Sequence, residues 1–162
     1  MLEAFGDRGA DIAKAYRREY PKATPFGIFA AISAEPFRRC AFEQAARKAA
    51  LGAAPAYTFM FSWRTPMLDD RPGPFHACEI SFVFDNAELC NHYSGMNPEA
   101  LALAKQVSGA WVSFARTGTP NHAGLPIWPA YTRERRATMI FDVPCGVRNG
   151  VEYEGLRLIA QT

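Results

Sequence analysis

His76 is the side chain best placed to do chemistry, in the stretch PGPFHACEISFVF at residues 72–84. An imidazole titrates near neutral pH and can take up a proton and return it. Here it closes a Pro/Gly-rich turn and is followed by Glu79 and a run of large apolar residues. Such a loop can be held rigid, with its far end anchored in a core. It also follows a predicted strand, where α/β folds place their reactive groups. The competing reading is a hydrogen-bonded structural histidine.

Other chemistry finds less support. A serine on a strained nucleophile elbow needs G-x-S-x-G, because its neighbours must lack side chains. No serine here has both glycines. Ser94, in NHYSGMN, has only Gly95 after it and reads as a polar loop serine. Neither G-x-G-x-x-G nor a P-loop occurs, so nucleotide binding is not expected. His76, Cys78, Glu79, Cys90 and His92 lie close in sequence. Their order, H-x-C-E followed by C-x-H, fits no familiar zinc spacing, so neither a metal nor a cofactor is expected.

The elements that must hold His76 can be read from periodicity and punctuation. GADIAKAYRREYP carries Ile12, Ala15, Tyr16 and Tyr20 at helical spacing and stops at Pro21. An apolar patch, Ile28 to Ile32, precedes a second helix, EPFRRCAFEQAARKAALG, with Pro36 early and Gly52 as its stop. Tyr57 to Trp63 is mostly aromatic, β-branched or large and apolar, and prolines bracket it. That predicts a strand covered on both faces. MLDDRPGPF reads as a loop; EISFVFDN is open between a strand and a buried helical turn. The strongest helix follows, with Asn97 as cap, Pro98 at its first position and Gly118 and Pro120 at its end. Its predicted apolar face runs through Leu101, Ala104, Val107, Trp111 and Phe114. Ala137 to Phe141 reads as a strand, and the tail as turn-rich, ending in a short apolar segment. The order implies an α/β fold with too few strands to cover its own faces, hence part of a sheet.

Bulk properties bound the function. The chain has 162 residues, enough for one domain, with 49% hydrophobic, 13% aromatic and 21% charged residues. A net charge of +2 gives no case for nucleic acid or an acidic membrane surface. Basic pairs such as Arg17-Arg18 and Arg135-Arg136 read as solvated surface. Four cysteines, Cys40, Cys78, Cys90 and Cys145, form no C-x-x-C pair and read as reduced thiols. No apolar run approaches the ~18 residues of a membrane span, and the N-terminus lacks a secretory signal, so a cytoplasmic location is expected.

Several stretches together resemble the C-terminal part of type B carboxylesterases. This is the cholinesterase-like branch of the α/β-hydrolases, which includes bacterial para-nitrobenzyl esterases. GPFHACEISFVFDN resembles that family's histidine motif and AYTFMFSWRTP the strand before it. AWVSFARTGTPNHAGLPIWPAYTRERRATMIFD resembles its late helix, its Phe-Ala-Arg-Thr-Gly-x-Pro-Asn turn, its Trp-Pro-x-Tyr segment and its closing strand. The matches are collinear from about Ala30 to Asp142.

The resemblance implies that residues 1–162 are the C-terminal portion of an α/β-hydrolase domain acting on small carboxylic esters. His76 would be the triad base. Glu79 would order the loop by hydrogen bonds rather than serve as the triad acid, which in the family lies further upstream than this chain reaches. Asp69 and Asp70 precede His76 by too little to be that acid. Phe59, Phe61, Trp63 and Phe75 are candidates to line an acyl or alcohol pocket. The serine elbow, the glycine-rich oxyanion loop and the acid belong to an N-terminal portion, so the chain alone is expected to be inactive. Three positions depart from the family pattern: Ala34 replaces an aspartate, Cys40 a frequent proline and Ala77 a common glycine. The alternative is a non-catalytic module that pairs with another chain through an open sheet edge.

Overall fold

The computed structural model describes residues 2–95 and 97–161. A 3-10 segment, Leu2–Arg8, leads into α1, Gly9–Glu19, which buries Ile12 and Tyr16 and stops just ahead of Pro21. The patch at Ile28 to Ile32 lies within a helix of its own, α2, Pro25–Ser33. Thr24 starts it: the Oγ1 accepts a 3.1 Å hydrogen bond from the Gly27 N–H, and Pro25 supplies a first residue that needs no donor. Helix α3, Glu35–Leu51, ends at Gly52, whose φ of +67° suits a residue without a Cβ.

Strand β1, Thr58–Phe61, is followed by a 3-10 turn at Met67–Asp70 and two short helices, α4, Ile80–Val83, and α5, Asn91–Ser94. The ambiguous EISFVFDN run is therefore helical where it is regular. Helix α6 spans Pro98–Thr117; the Asn97 side chain accepts from the Ala100 N–H at 2.7 Å, and Gly118 closes it at φ +76°. Strands β2, Ala137–Phe141, and β3, Gly146–Asn149, then precede α7, Tyr153–Ile159. The sequence suggested only turns where β3 runs.

The sheet has the order β1-β2-β3. β1 and β2 are parallel, from Thr58↔Thr138 to Phe61↔Phe141, and β2 and β3 are antiparallel. The Ser62 N–H donates to the Phe141 carbonyl at 2.9 Å. By the alternation of a parallel ladder, Thr58 and Met60 also turn their backbone groups to β2. Phe59 and Phe61 turn theirs to the open side. Met139 and Phe141 point with Phe82, Trp128 and the small residues of α6 into the main core. A second core joins Ile12 and Tyr16 of α1 to Ile28 and Ile32 of α2.

Two expectations need correction. β1 is not covered on both faces: Phe59 stays 42% exposed, and among the described residues β1 also pairs on one side only, so its flank is open as well. The buried stripe of α6 is also rotated, to Ala100, Leu103, Ala104, Val107 and Ala110. Alanines let the helix approach the sheet closely, which leaves Trp111 half-buried and Phe114 exposed at the flank, beside Phe59 and Tyr57.

A buried polar knot ties α1, α3 and α7 together. Glu152, with φ +55°, accepts a short hydrogen bond from the Tyr20 hydroxyl and pairs with Arg38 Nη1 at 3.0 Å. Arg38 also donates to the Ala31 carbonyl at 2.6 Å. Gly155 packs so tightly on Tyr16 that a Cβ there would fall 2.4 Å from Cε2. Burial pushes the Glu152 carboxyl up from its ordinary value, and Arg38 and the Tyr20 hydrogen bond only partly oppose it.

A raised folded-state value means that the native state holds this proton more tightly than the unfolded chain does. The stabilisation is complete below the unfolded value of ~4.3 and is lost as pH rises through the folded value. Thermal melts of the native protein and Glu152→Gln across this range should show the variant gaining on the native protein as pH rises, up to a plateau. A pH-independent gap would remove Glu152 as the titrating group.

Candidate active site

His76 sits in the segment between β1 and α4, and that segment is fastened at several points. Trp63 and Thr65 are buried as the chain leaves β1. The Thr65 hydroxyl donates to the Tyr93 carbonyl and accepts from the Met67 N–H at 3.1 Å. Arg64 pairs through Nε with Asp70 Oδ2 at 2.5 Å and donates from Nη2 to the Asp70 carbonyl at 3.2 Å. Gly73 lies buried under the Arg64 guanidinium, where a Cβ would come 3.6 Å from Nη1. Asp69 makes only a long exposed pair with Arg71, at 3.9 Å. Leu68, Asp69 and Asp70 all take positive φ, at 52°, 55° and 61°, so the bend before His76 is conformationally costly.

The histidine occupies the second position of a turn. The Cys78 N–H donates to the Phe75 carbonyl at 3.2 Å, and the third residue, Ala77, has φ +69°. A left-handed residue at that position is the mark of a type II turn, which favours glycine. The turn runs straight into α4, whose first carbonyl, that of Glu79, accepts from the N–H groups of Phe82 and Val83, both at 2.9 Å. The backbone of Glu79 thus starts the helix. Its side chain is half-buried and borders a shallow groove with Phe59, Val83 and Trp111.

The far wall is the segment around α5. Phe75 stands edge-on to Tyr93, with ring centroids 5.5 Å apart, and Tyr93 stands edge-on to His92 at 4.7 Å. Gly95 closes against Pro66: a Cβ would lie 2.2 Å from its Cγ. Ser94 is buried and donates to the Ala87 carbonyl at 2.7 Å, so its hydroxyl is structural and not presented to solvent. Thr65, Tyr93 and the Gly95–Pro66 contact were not legible as loop supports. The glycine after Ser94 was the one visible signal, although Ser94 itself was read as a polar loop serine.

The four candidate aromatics do not converge on one cavity. Trp63 and Phe61 pack on Phe82, at 6.4 and 5.0 Å. Phe59 packs on Trp111 at 5.0 Å and on Phe141 at 5.7 Å. Phe75 alone is both partly exposed and adjacent to His76. Among the described residues no three His, Cys, Asp or Glu side chains converge as metal ligands would. All four cysteines are free; Cys78 is buried, and burial pushes its thiol up to about 12, away from reactivity.

His76 itself is exposed, and its ring makes no hydrogen bond or ion pair with any described residue. Both nitrogens are open to a proton donor that approaches from outside. No carboxylate fixes the tautomer, so the arrangement can accept a proton but does not by itself complete a relay.

A profile of the Carboxylesterase family matches residues 13–157. The para-nitrobenzyl esterase of Bacillus subtilis is 33% identical over 103 residues, which is 62% of this chain and 21% of that protein. The phenmedipham hydrolase of Pseudarthrobacter oxydans is 28% identical over 149 residues, covering 86% of this chain and 29% of that one. Among solved structures, an esterase from Clostridium hathewayi superposes with a TM-score of 0.72 at 29% identity, over 97% of this chain and 30% of its own. A carboxylesterase of Geobacillus stearothermophilus gives 0.70 at 35% identity, over 90% and 31%. The chain therefore spans under a third of the length of these relatives.

Two substitutions test the loop geometry in opposite directions by urea unfolding. Ala77→Gly should stabilise by up to about 1 kcal/mol, since a left-handed alanine costs about 1–2 kcal/mol and the added freedom of the unfolded chain offsets part of it. Gly95→Ala should destabilise by about 2–5 kcal/mol, from the same backbone cost plus overpacking against Pro66. Equal and negligible shifts would mean that the two turns are not built as described.

Proposed function

Because the chain belongs to the carboxylesterase family, we propose that residues 1–162 are the C-terminal, histidine-bearing portion of a serine carboxylesterase and that His76 is its general base. What supports this most directly is the exposed His76 ring, without a hydrogen-bond partner among the described residues, on a turn fastened at both ends and in a stretch that resembles the family's histidine motif. In the complete site, His76 takes the proton of a serine hydroxyl as that oxygen attacks an ester carbonyl. It then passes the proton to the departing alcohol. The carboxylate that would orient its second nitrogen, the serine and the oxyanion donors come from a portion outside this chain. Glu79, one turn further on, holds the start of α4 and so the exit of the loop. Phe75 is the aromatic wall nearest the base, and Phe59, Phe61 and Trp63 shape the strand behind it.

The open side of β1 is where that portion would dock. Phe59 and Phe61 turn unpaired backbone groups outward, and exposed Phe59, Phe84, Val112 and Phe114 flank them with apolar surface. The same surface favours the reading of a non-catalytic module, which would need the edge but not His76. No helix among the described residues is long and apolar enough to cross a membrane. Four free thiols suit the reducing cytoplasm.

The deciding experiment co-expresses this chain with the serine-bearing portion of a bacterial para-nitrobenzyl esterase and follows hydrolysis of a short-chain p-nitrophenyl ester. The chain alone should give only the background of free imidazole. The pair should exceed it, and His76→Ala should lower the paired activity by about 10²–10⁴-fold, the weight of a general base. Co-purification with activity indifferent to His76→Ala would favour the module. Efficient turnover by the chain alone would mean that it carries its own nucleophile.

A further inference from the structure

Away from the His76 loop, α3 and α7 face each other across a cleft of about 720 Å³, bounded by the turns that precede β2 and α7. Five arginines line it, Arg39, Arg47, Arg133, Arg136 and Arg157, against the single carboxylate of Glu43. Three are neutralised locally: Arg39 by Glu35 at 2.7 Å, Arg47 by Glu43 at 2.9 Å and Arg157 by Glu154 at 2.8 Å. Arg133 and Arg136 have no carboxylate at ion-pair distance among the described residues, although Glu134 acts on both at longer range, Glu43 acts on Arg133, and Arg136 hydrogen-bonds the Tyr131 hydroxyl.

Arg136 is not the solvated surface residue that its sequence context suggested. It is half-buried, with its guanidinium carbon 3.7 Å from the centre of the Tyr153 ring. Its backbone is held left-handed, at φ +50°, by a 2.8 Å bond from its N–H to the Thr132 carbonyl and a 3.2 Å bond from the Gly150 N–H to its own carbonyl. Such a conformation is costly for any residue with a Cβ and persists only where the surroundings enforce it. Beside these charges runs an apolar wall, Phe42 stacked with Tyr131 at 6.3 Å, and Val151 and Leu156.

We propose that this cleft binds a small organic phosphate, a phosphate monoester with an aromatic or apolar body. Two guanidinium forks with no carboxylate at ion-pair distance on one cleft suit a tetrahedral dianion, which brings more charge and more oxygens than a carboxylate. The aromatic wall takes the organic body. The volume falls within the range of small-molecule sites, about 300–1,000 Å³. The site is independent of ester hydrolysis at His76.

Phenyl phosphate titrated into the chain by calorimetry at low salt tests this. Saturable binding should appear and weaken as salt is added. Arg136→Gln and Arg133→Gln should each weaken it by about tenfold or more, the weight of one charge-assisted hydrogen bond. Arg133 is exposed, so its variant keeps the test valid if Arg136→Gln fails to fold. Phenyl phosphate should also slow alkylation of the exposed Cys40 in the cleft by iodoacetamide. The proposal is overturned by absence of saturable binding, by binding undiminished in both variants, by no protection of Cys40, or by inorganic phosphate binding as tightly as the ester.

Discussion

The molecule depends on one short parallel ladder. Thr58 to Phe61 meet Thr138 to Phe141 in register, and nothing else ties the two ends of the long crossover between them so directly. A parallel pair cannot be closed by a tight turn, so the intervening chain must leave the sheet, cover a face and return. The His76 loop, α4, α5 and α6 are that crossover. Helix α6 lays its alanine-rich stripe on Met139 and Phe141, while α4 brings Phe82 against Phe61 and Trp63. The histidine is held in place because it lies where the crossover begins, between a strand fixed by the ladder and a helix fixed by the core.

Much of this was legible in the sequence where punctuation was strong. Asn97-Pro98 and Gly118 delimit α6, and Gly52 ends α3, since caps and left-handed stops act locally. Less was legible where long-range packing decides. Whether EISFVFDN is strand or helix depends on the α6 surface it meets, and its own pattern fits either. The buried stripe of α6 was misplaced because large apolar residues draw the eye, whereas the sheet accepts alanines. β1 looked doubly covered because its composition is that of a central strand, yet among the described residues it has one neighbour. In the loop, the histidine itself could be picked out. The ties from Thr65 to Tyr93 and from Gly95 to Pro66 could not, because they join residues whose proximity only the fold creates.

The polar knot around Glu152 has a different character from the apolar core on the other side of the sheet. Tyr20, Arg38 and Glu152 come from three separate parts of the chain: Glu152 accepts from the Tyr20 hydroxyl on Oε1 and faces the Arg38 charge with Oε2, which has no hydrogen-bond partner among the described residues. Apolar contacts tolerate small shifts; this set does not, since a carboxylate in a buried site has few alternative partners. It therefore defines how α7 seats on α1 and α3. That seating, in turn, shapes one wall of the arginine-lined cleft.

The separation of the two paired strands also governs how the protein is made. On a ribosome that adds about 5–20 residues per second, β1 emerges roughly 4–16 s before its partner β2. Throughout that interval the edge that β2 will take is open, and the strand's aromatic side chains have no α6 to cover them. Helices α1 to α3 can form and pack meanwhile from local contacts. The β1–β2 ladder cannot form until residue 141 has been synthesised, so the nascent protein passes through a period in which an aromatic strand is poorly protected.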